Sequence, residues 1–326
     1  MAESQSSDGS KMSIHQPKPI DLTLREMERE LRTMPGRDVL IELNSLEASV
    51  RVFAENYREL QKFLVDVQTN PGHAFLGLDQ ARKRQKEDVF AETHRLVHNF
   101  LAASFSLVDH TRCTRDRITP GLVGLYEAET DRRFSSDGVA KFWQGLRNYQ
   151  THYEPPPLTL VGRGMPPDST HTLVMRRKDL LAWDNWPSAA KAWLRQSDDD
   201  IDVLTTATDY FEKIRDFQLW LGGEMRRERR EDLAAFYTRE EEYFLLSIES
   251  VLDAWLADPD AEPLGDRGLF LHIFDLGDFE ALDTMPPGSS ERTEAALTIL
   301  RSHFRVPGAL ACKFARAYAD RRFFQP

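Results

Sequence analysis

Only two cysteines, Cys113 and Cys312, occur in the 326 residues, and no CxxC spacing accompanies them. Neither a disulfide framework nor a zinc cluster is signalled, and a reducing cytoplasm fits. Long apolar runs are equally scarce. The longest stretch free of acidic and basic residues other than histidine, Leu96 to Val108, covers 13 residues, well short of the roughly 20 needed to cross a bilayer. No membrane span is expected. The opening MAESQSSDGSKMS has no apolar core of the secretory type, so the chain is expected to stay in the compartment where it is made, with its first 15 or so residues disordered. The GxxxxGK[ST], GxGxxG and GxSxG patterns are also missing. Nucleotide hydrolysis, dinucleotide redox chemistry and the common serine hydrolases therefore have no support, and no cofactor is called for.

Positive charge is the minority. The formal net charge of −11 argues against a protein that coats nucleic acid nonspecifically, because phosphate binding needs concentrated Lys and Arg. A local basic groove stays open as an alternative to a solvated surface. Its candidate members are Arg112, Arg115 and Arg117; Arg163 with Arg176, Arg177 and Lys178; and RRERR at 226 to 230.

What is abundant is helical periodicity, on a composition that is 41% hydrophobic and 29% charged, the profile of a soluble globular chain. Residues 38 to 69 contain no Gly or Pro and carry Leu40, Leu43, Leu46, Val50, Phe53, Tyr57, Leu60 and Leu64 at three- and four-residue steps. That spacing predicts a long amphipathic helix, stopped by Asn70-Pro71-Gly72. A second long helix is expected over about 79 to 115, antiparallel to the first. Ser136 or Asp137 can cap a shorter helix, GVAKFWQGLRNYQTH, that Pro155, Pro156 and Pro157 terminate. LTLVG at 158 to 162 and HTLVM at 171 to 175 predict a small β-hairpin near 158–176. Trp183 to Arg195 suggests a short helix, and 200 to 257 a long helical stretch interrupted or weakened at Gly222-Gly223. The expected organisation is a partly disordered segment 1–37, a helical bundle 38–257 and a C-terminal extension 258–326, in which SERTEAALTILRSHF is helical. The fold class is mainly α, with long antiparallel helices and a small hairpin insertion.

The segment LRNYQTHYEPPP concentrates the polar chemistry. With Arg147 at zero on a wheel of about 100° per residue, Asn148 falls near 100° and His152 near 140°. Val139, Phe142, Trp143, Leu146 and Tyr149 cluster on the opposite arc. The trio thus points away from the face its helix buries. Two readings fit: a chemical site, or a solvated helix end whose histidine complements the dipole.

This short helix, following two long antiparallel helices and preceding a proline-rich break, resembles the HEPN superfamily of helical bundles, many of which carry an RNxxxH-type motif; here the pattern falls on Arg147, Asn148 and His152. The resemblance covers roughly residues 38 to 257 and is sharp only at these six positions. It implies a metal-independent endoribonuclease, in a toxin or phage-defence setting, that acts on RNA as a homodimer with two motifs in one cleft. The side chains suit that chemistry. An imidazole can move a proton near neutrality, a guanidinium can hold a phosphate bidentately, and an asparagine can orient either. Some members have a tyrosine two residues beyond the histidine; Glu154 stands there, with Tyr153 one residue early. That departure and the acidic charge keep a non-enzymatic, HEPN-like binding or regulatory module as the alternative.

The second long helix carries His94 and His98, but the zinc protease pattern requires Glu after the first histidine and Arg95 follows it, so no metal site is assigned. His94, His98, Ala102, Phe105, Asp109 and Arg112 form one stripe, opposite Phe90, Val97, Phe100, Leu101, Leu107 and Val108. The stripe is a candidate cleft or dimer wall, with a structural network as the alternative.

Overall fold

The structure, a computed structural model, describes residues 19–70, 83–163, 170–258 and 274–319. The fold is mainly α. Among the described residues there are twelve helices and one three-stranded sheet: α1 (Pro19–Thr33), α2 (Pro35–Thr69), α3 (Lys83–Arg115), α4 (Pro120–Phe134), α5 (Gly138–His152), β1 (Leu158–Arg163), β2 (Thr170–Arg176), α6 (Arg177–Leu180), α7 (Ser188–Gln196), β3 (Asp200–Asp202), α8 (Val203–Glu228), α9 (Arg230–Ala257), α10 (Leu276–Asp283), α11 (Ser290–His303) and α12 (Gly308–Tyr318). No helix among them is long and apolar enough to cross a membrane.

The chain divides into two compact units, one of residues 38–230 and one of residues 1–37 with 231–326. In the first, the α2 stripe is buried as its spacing predicts at Leu43, Leu46, Phe53, Tyr57, Leu60 and Leu64, whereas Leu40 and Val50 are only half-buried. Phe53 stacks on Phe100 and Ser49 meets His110, so α2 and α3 run antiparallel. Helix α8 lies against both. Tyr57 is hydrogen-bonded to Thr208, Ser104 to the buried Tyr210, and Gln218 to Thr111. An aromatic core results, in which Phe100 meets Trp143 and Tyr210 edge-on and Tyr57 stacks on Phe211. Such pairs add about 0.5–1.5 kcal/mol each beyond their burial.

The hairpin pairs β1 with β2 antiparallel, Leu158 opposite Met175 and Arg163 opposite Thr170. A third strand, which the sequence reading did not contain, adds to β2 with Ile201 opposite Met175. Asp202 ends that strand and at once caps α8, its carboxylate accepting from the Thr205 amide at 2.9 Å. Three residues are too few to show a period-two signal beside the acidic run SDDDID.

Two boundaries differ from the sequence reading. Helix α8 runs through Gly222-Gly223 and breaks at Arg229, where φ −105° and ψ 25° leave the helical basin. A glycine inside a helix costs about 1 kcal/mol against alanine; here Leu221, Gly222 and Met225 are buried together and hold the turn. The compact unit that begins at Asp38 therefore ends at Arg230, not at 257. Unbroken helical periodicity across Arg229 concealed that boundary.

The second unit has a core of its own. From α9, Ile248, Leu252 and Trp255 pack with Phe279 and Leu282 of α10, Leu297 and Leu300 of α11, and Phe314 and Tyr318 of α12. The buried Arg292 donates to the carbonyls of Leu282 and Met285 and pairs with Asp283. Residues 19–33, expected within a partly disordered segment, are helical and bury Met27 and Leu31; Arg239 of α9 pairs with Glu30 there. The remainder of the disorder expected before residue 19 lies outside the described residues, as do Pro71-Gly72 and the hairpin turn.

Candidate functional site

Helix α5 owes its position to both ends and to its glycines. Asp137 caps it by accepting from the Ala140 amide at 2.8 Å, and the other carboxylate oxygen accepts from Lys213 of α8 at 2.5 Å. Gly145 permits a close approach: a Cβ there would lie 2.8 Å from Trp186. Phe142, Trp143, Leu146 and Tyr149 are fully buried. Beyond the helix, the Tyr149 hydroxyl donates to Glu154 at 2.5 Å, and Tyr153 stacks on Trp183. Burial first, then the hydrogen bond and the negative charge of Glu154, push the Tyr149 phenol well above its ordinary range. Glu154 is thus engaged in holding the chain's exit from α5.

Arg147, Asn148 and His152 are all exposed, on the side of α5 that the wheel indicated. Their surroundings differ from one to the next. The Arg147 guanidinium lies over the ring of Phe105, 4.1 Å from its centroid. Asn148 lines a cavity of about 380 Å³ together with Phe105 and Arg112 of α3. His152, in the last turn, does not line that cavity and has no hydrogen bond or ion pair among the described residues.

The α3 stripe is in part a wall against this same helix. His94 donates through Nε2 to the Pro156 carbonyl at 2.9 Å, and the Gln150 amide donates to Nδ1 of His98 at 3.2 Å. Phe105 is half-buried beneath Arg147; His98, Asp109 and Arg112 are exposed, the last two paired at 3.1 Å. The stripe is therefore not a face left wholly unpartnered by its own bundle, because α5 and its proline exit cover part of it. Among the described residues no group of three or more His, Cys, Asp or Glu side chains is placed to hold a metal ion.

Each of the basic clusters is neutralised in part. Arg115 pairs with Glu127, Arg117 with Glu42, Arg177 with Asp199, Arg226 with Glu47 and Arg227 with Glu224. Exposed pairs of this kind contribute about 0–1 kcal/mol each and mark an ordinary surface. Around α5 the balance differs, since neither Arg147 nor Lys141 has a carboxylate at ion-pair distance among the described residues. The Arg163 side chain lies outside the described residues.

Among the cavity residues given no role from sequence are the polar Gln218, Thr130 and Lys141. A signal for the first was legible. Gln218 interrupts the apolar stripe of α8 between Ile214, Phe217 and Leu221, a polar residue at a core position. Nothing in the local sequence marks the other two.

No family model matches the chain, and neither the curated proteins nor the solved structures contain a match.

Proposed function

We propose that the chain is an HEPN-like, metal-independent endoribonuclease of a toxin or antiviral-defence kind, acting in the cytoplasm as a homodimer. The observation that carries this reading is the state of α5's polar face: among the described residues His152 is exposed with no partner, and Arg147, five residues before it, has no competing carboxylate. In the proposed reaction one imidazole takes the proton of a ribose 2′-hydroxyl. The 2′-oxygen then bonds to phosphorus as the P–O5′ bond breaks, and a second imidazole returns a proton to the departing oxygen. Arg147 offsets the charge that grows on the phosphoryl oxygens, and Asn148 orients the RNA. A single His152 supplies one group, so the second comes from another copy.

The test is cleavage of end-labelled RNA by the purified protein in EDTA, beside His152→Ala. Cleavage by the wild type and its loss in the variant supports the reading; equal cleavage by both overturns it. A second reading, a binding or regulatory module without catalysis, is favoured by one observation: Asn148 lines the cavity shared with α3, α4 and α8 that His152 does not line. RNA retention without cleavage, equal in wild type and His152→Ala, selects it.

A further inference from the structure

The cavity beside α5 holds chemistry that the cleavage reading does not use. Its volume of about 380 Å³ falls within the roughly 300–1,000 Å³ of small-molecule sites. Its floor contains Gln218, only 5% exposed. The orientation of that amide follows from its neighbour. The Thr111 hydroxyl gives its hydrogen to the Leu107 carbonyl at 2.7 Å, so toward Gln218 it can only accept, and Gln218 Nε2 donates to it at 2.9 Å. Gln218 Oε1 is left buried with no hydrogen-bond partner among the described residues, as is Thr130 Oγ1, both on residues that line this cavity and both closed even to water as the side chains stand. Buried acceptors are rarely left unmatched in folded chains. Phe105, Tyr126, Phe134 and Phe217 supply aromatic walls, with Tyr126 and Phe134 meeting Phe217 edge-on at 5.6 and 5.5 Å. At the rim stand Lys141, half-buried and without an ion pair among the described residues, and the exposed Arg112 and Asn148. The adjoining cleft also presents Asp116, Glu127 and Asp131, of which Arg115 engages the first two.

We infer that this cavity binds a small planar heteroaromatic anion, whose ring packs among the aromatic walls, whose negative group meets Lys141 at the rim and whose ring N–H donates to Gln218 Oε1 once a turn of that amide opens the oxygen to the cavity. Each part of the ligand answers a separate feature. An unpartnered acceptor at the floor selects a donor, four aromatic side chains favour a flat ring, and a free ammonium at the rim selects an anion. A mononucleotide and an aromatic acid share this chemistry. The site uses Asn148 at its rim but requires no RNA and no His152, so it stands or falls separately from the cleavage reading.

The experiment is calorimetric titration of the full chain with guanosine 5′-monophosphate, indole-3-acetate, neutral indole and inorganic phosphate. At least one of the two ring-bearing anions should bind with one ligand per chain, about tenfold or more tighter than neutral indole and phosphate alone. Tighter binding of the nucleotide names that source, and tighter binding of indole-3-acetate names the aromatic acid. Gln218→Leu should weaken that ligand about tenfold, and Lys141→Met should bring its affinity down to that of the uncharged ring. Circular dichroism checks that the variants fold, and Lys141→Met, at a half-buried position, keeps the test decisive if the core variant does not. Overturning results are equal binding of inorganic phosphate, affinity unchanged in either folded variant, or no heat from either ring-bearing anion at about 1 mM, where even weak sites register.

Discussion

The guanidinium of Arg147 lies over the ring of Phe105, 4.1 Å from its centroid, so the motif helix and the stripe on α3 are joined by one cation–π contact. Such a contact at a partly exposed site is worth about 0.5–1 kcal/mol. A double-mutant cycle of Phe105→Leu and Arg147→Met, read by urea unfolding, should return a coupling of that size. A coupling indistinguishable from zero would mean that the two side chains act independently.

If two copies of His152 build the proposed site, activity depends on assembly. Cleavage per chain should rise with protein concentration. An excess of His152→Ala mixed with wild type should depress the activity of the wild type by forming mixed pairs. Additive activities in the mixture would rule out a shared site. Phe105→Glu should weaken association and cleavage together while helical content stays, since Phe105 is only half-buried.

Gly145→Ala should destabilise the chain by about 1–3 kcal/mol. The new methyl would stand 2.8 and 2.9 Å from two ring atoms of Trp186 and 3.1 Å from Pro187. Trp186 has little room to move, being stacked on Phe142 and on Tyr149 with its indole nitrogen donating to the Leu180 carbonyl. Gly124→Ala in α4, where nothing lies within 4 Å, is the control and should be neutral or stabilising by up to about 1 kcal/mol. Thermal melts of both variants check the contrast.

Burial raises Tyr210 from 10.0 to about 12, against the opposing hydrogen bond from Ser104. A folded-state value above the unfolded one means that the neutral phenol is what the fold stabilises. Its contribution is complete below pH 10 and is lost as the pH rises toward 12. Unfolding free energy should fall above pH 10 by up to about 1.4 kcal/mol per pH unit for this group. In Tyr210→Phe the alkaline slope should be shallower, although the starting stability is lower because the Ser104 hydroxyl loses its partner. Identical slopes in urea melts between pH 9 and 11 would show that Tyr210 does not control the loss.

The long helices were legible because their signal is physical repetition: about six turns of α2 place Leu43, Leu46, Phe53, Tyr57, Leu60 and Leu64 on one face, and all are buried. Asp137 was legible as a cap for a local reason, the reach of a short carboxylate to an amide three residues on. The division at Arg230 was not, since a helix break without Gly or Pro leaves no mark and the core partners of α9, among them Phe279, Leu297 and Phe314, come from residues more than 20 positions later. At the site, a helical wheel sufficed to expose Arg147, Asn148 and His152, because α5 has one strongly apolar face. It could not tell which of them meets the α3 stripe. That depends on the packing of α3 against α5, where Phe105 happens to lie under Arg147 and Asn148 comes to the rim of a cavity floored by α8.

The central place of α8 sets a timetable for the chain's birth on the ribosome. Its partners are made long before it: Tyr57 waits 151 residues for Thr208, and Ser104 waits 106 for Tyr210. At about 5–20 residues per second, the first of these intervals lasts roughly 8–30 s. By its end Phe53, Phe100 and Trp143 have all been synthesised but still lack the α8 surface that finally covers them. A nascent chain halted before residue 203 should therefore be sticky, protease-sensitive and dependent on chaperones, and the whole unit should close as a late event once α8 is clear of the exit tunnel.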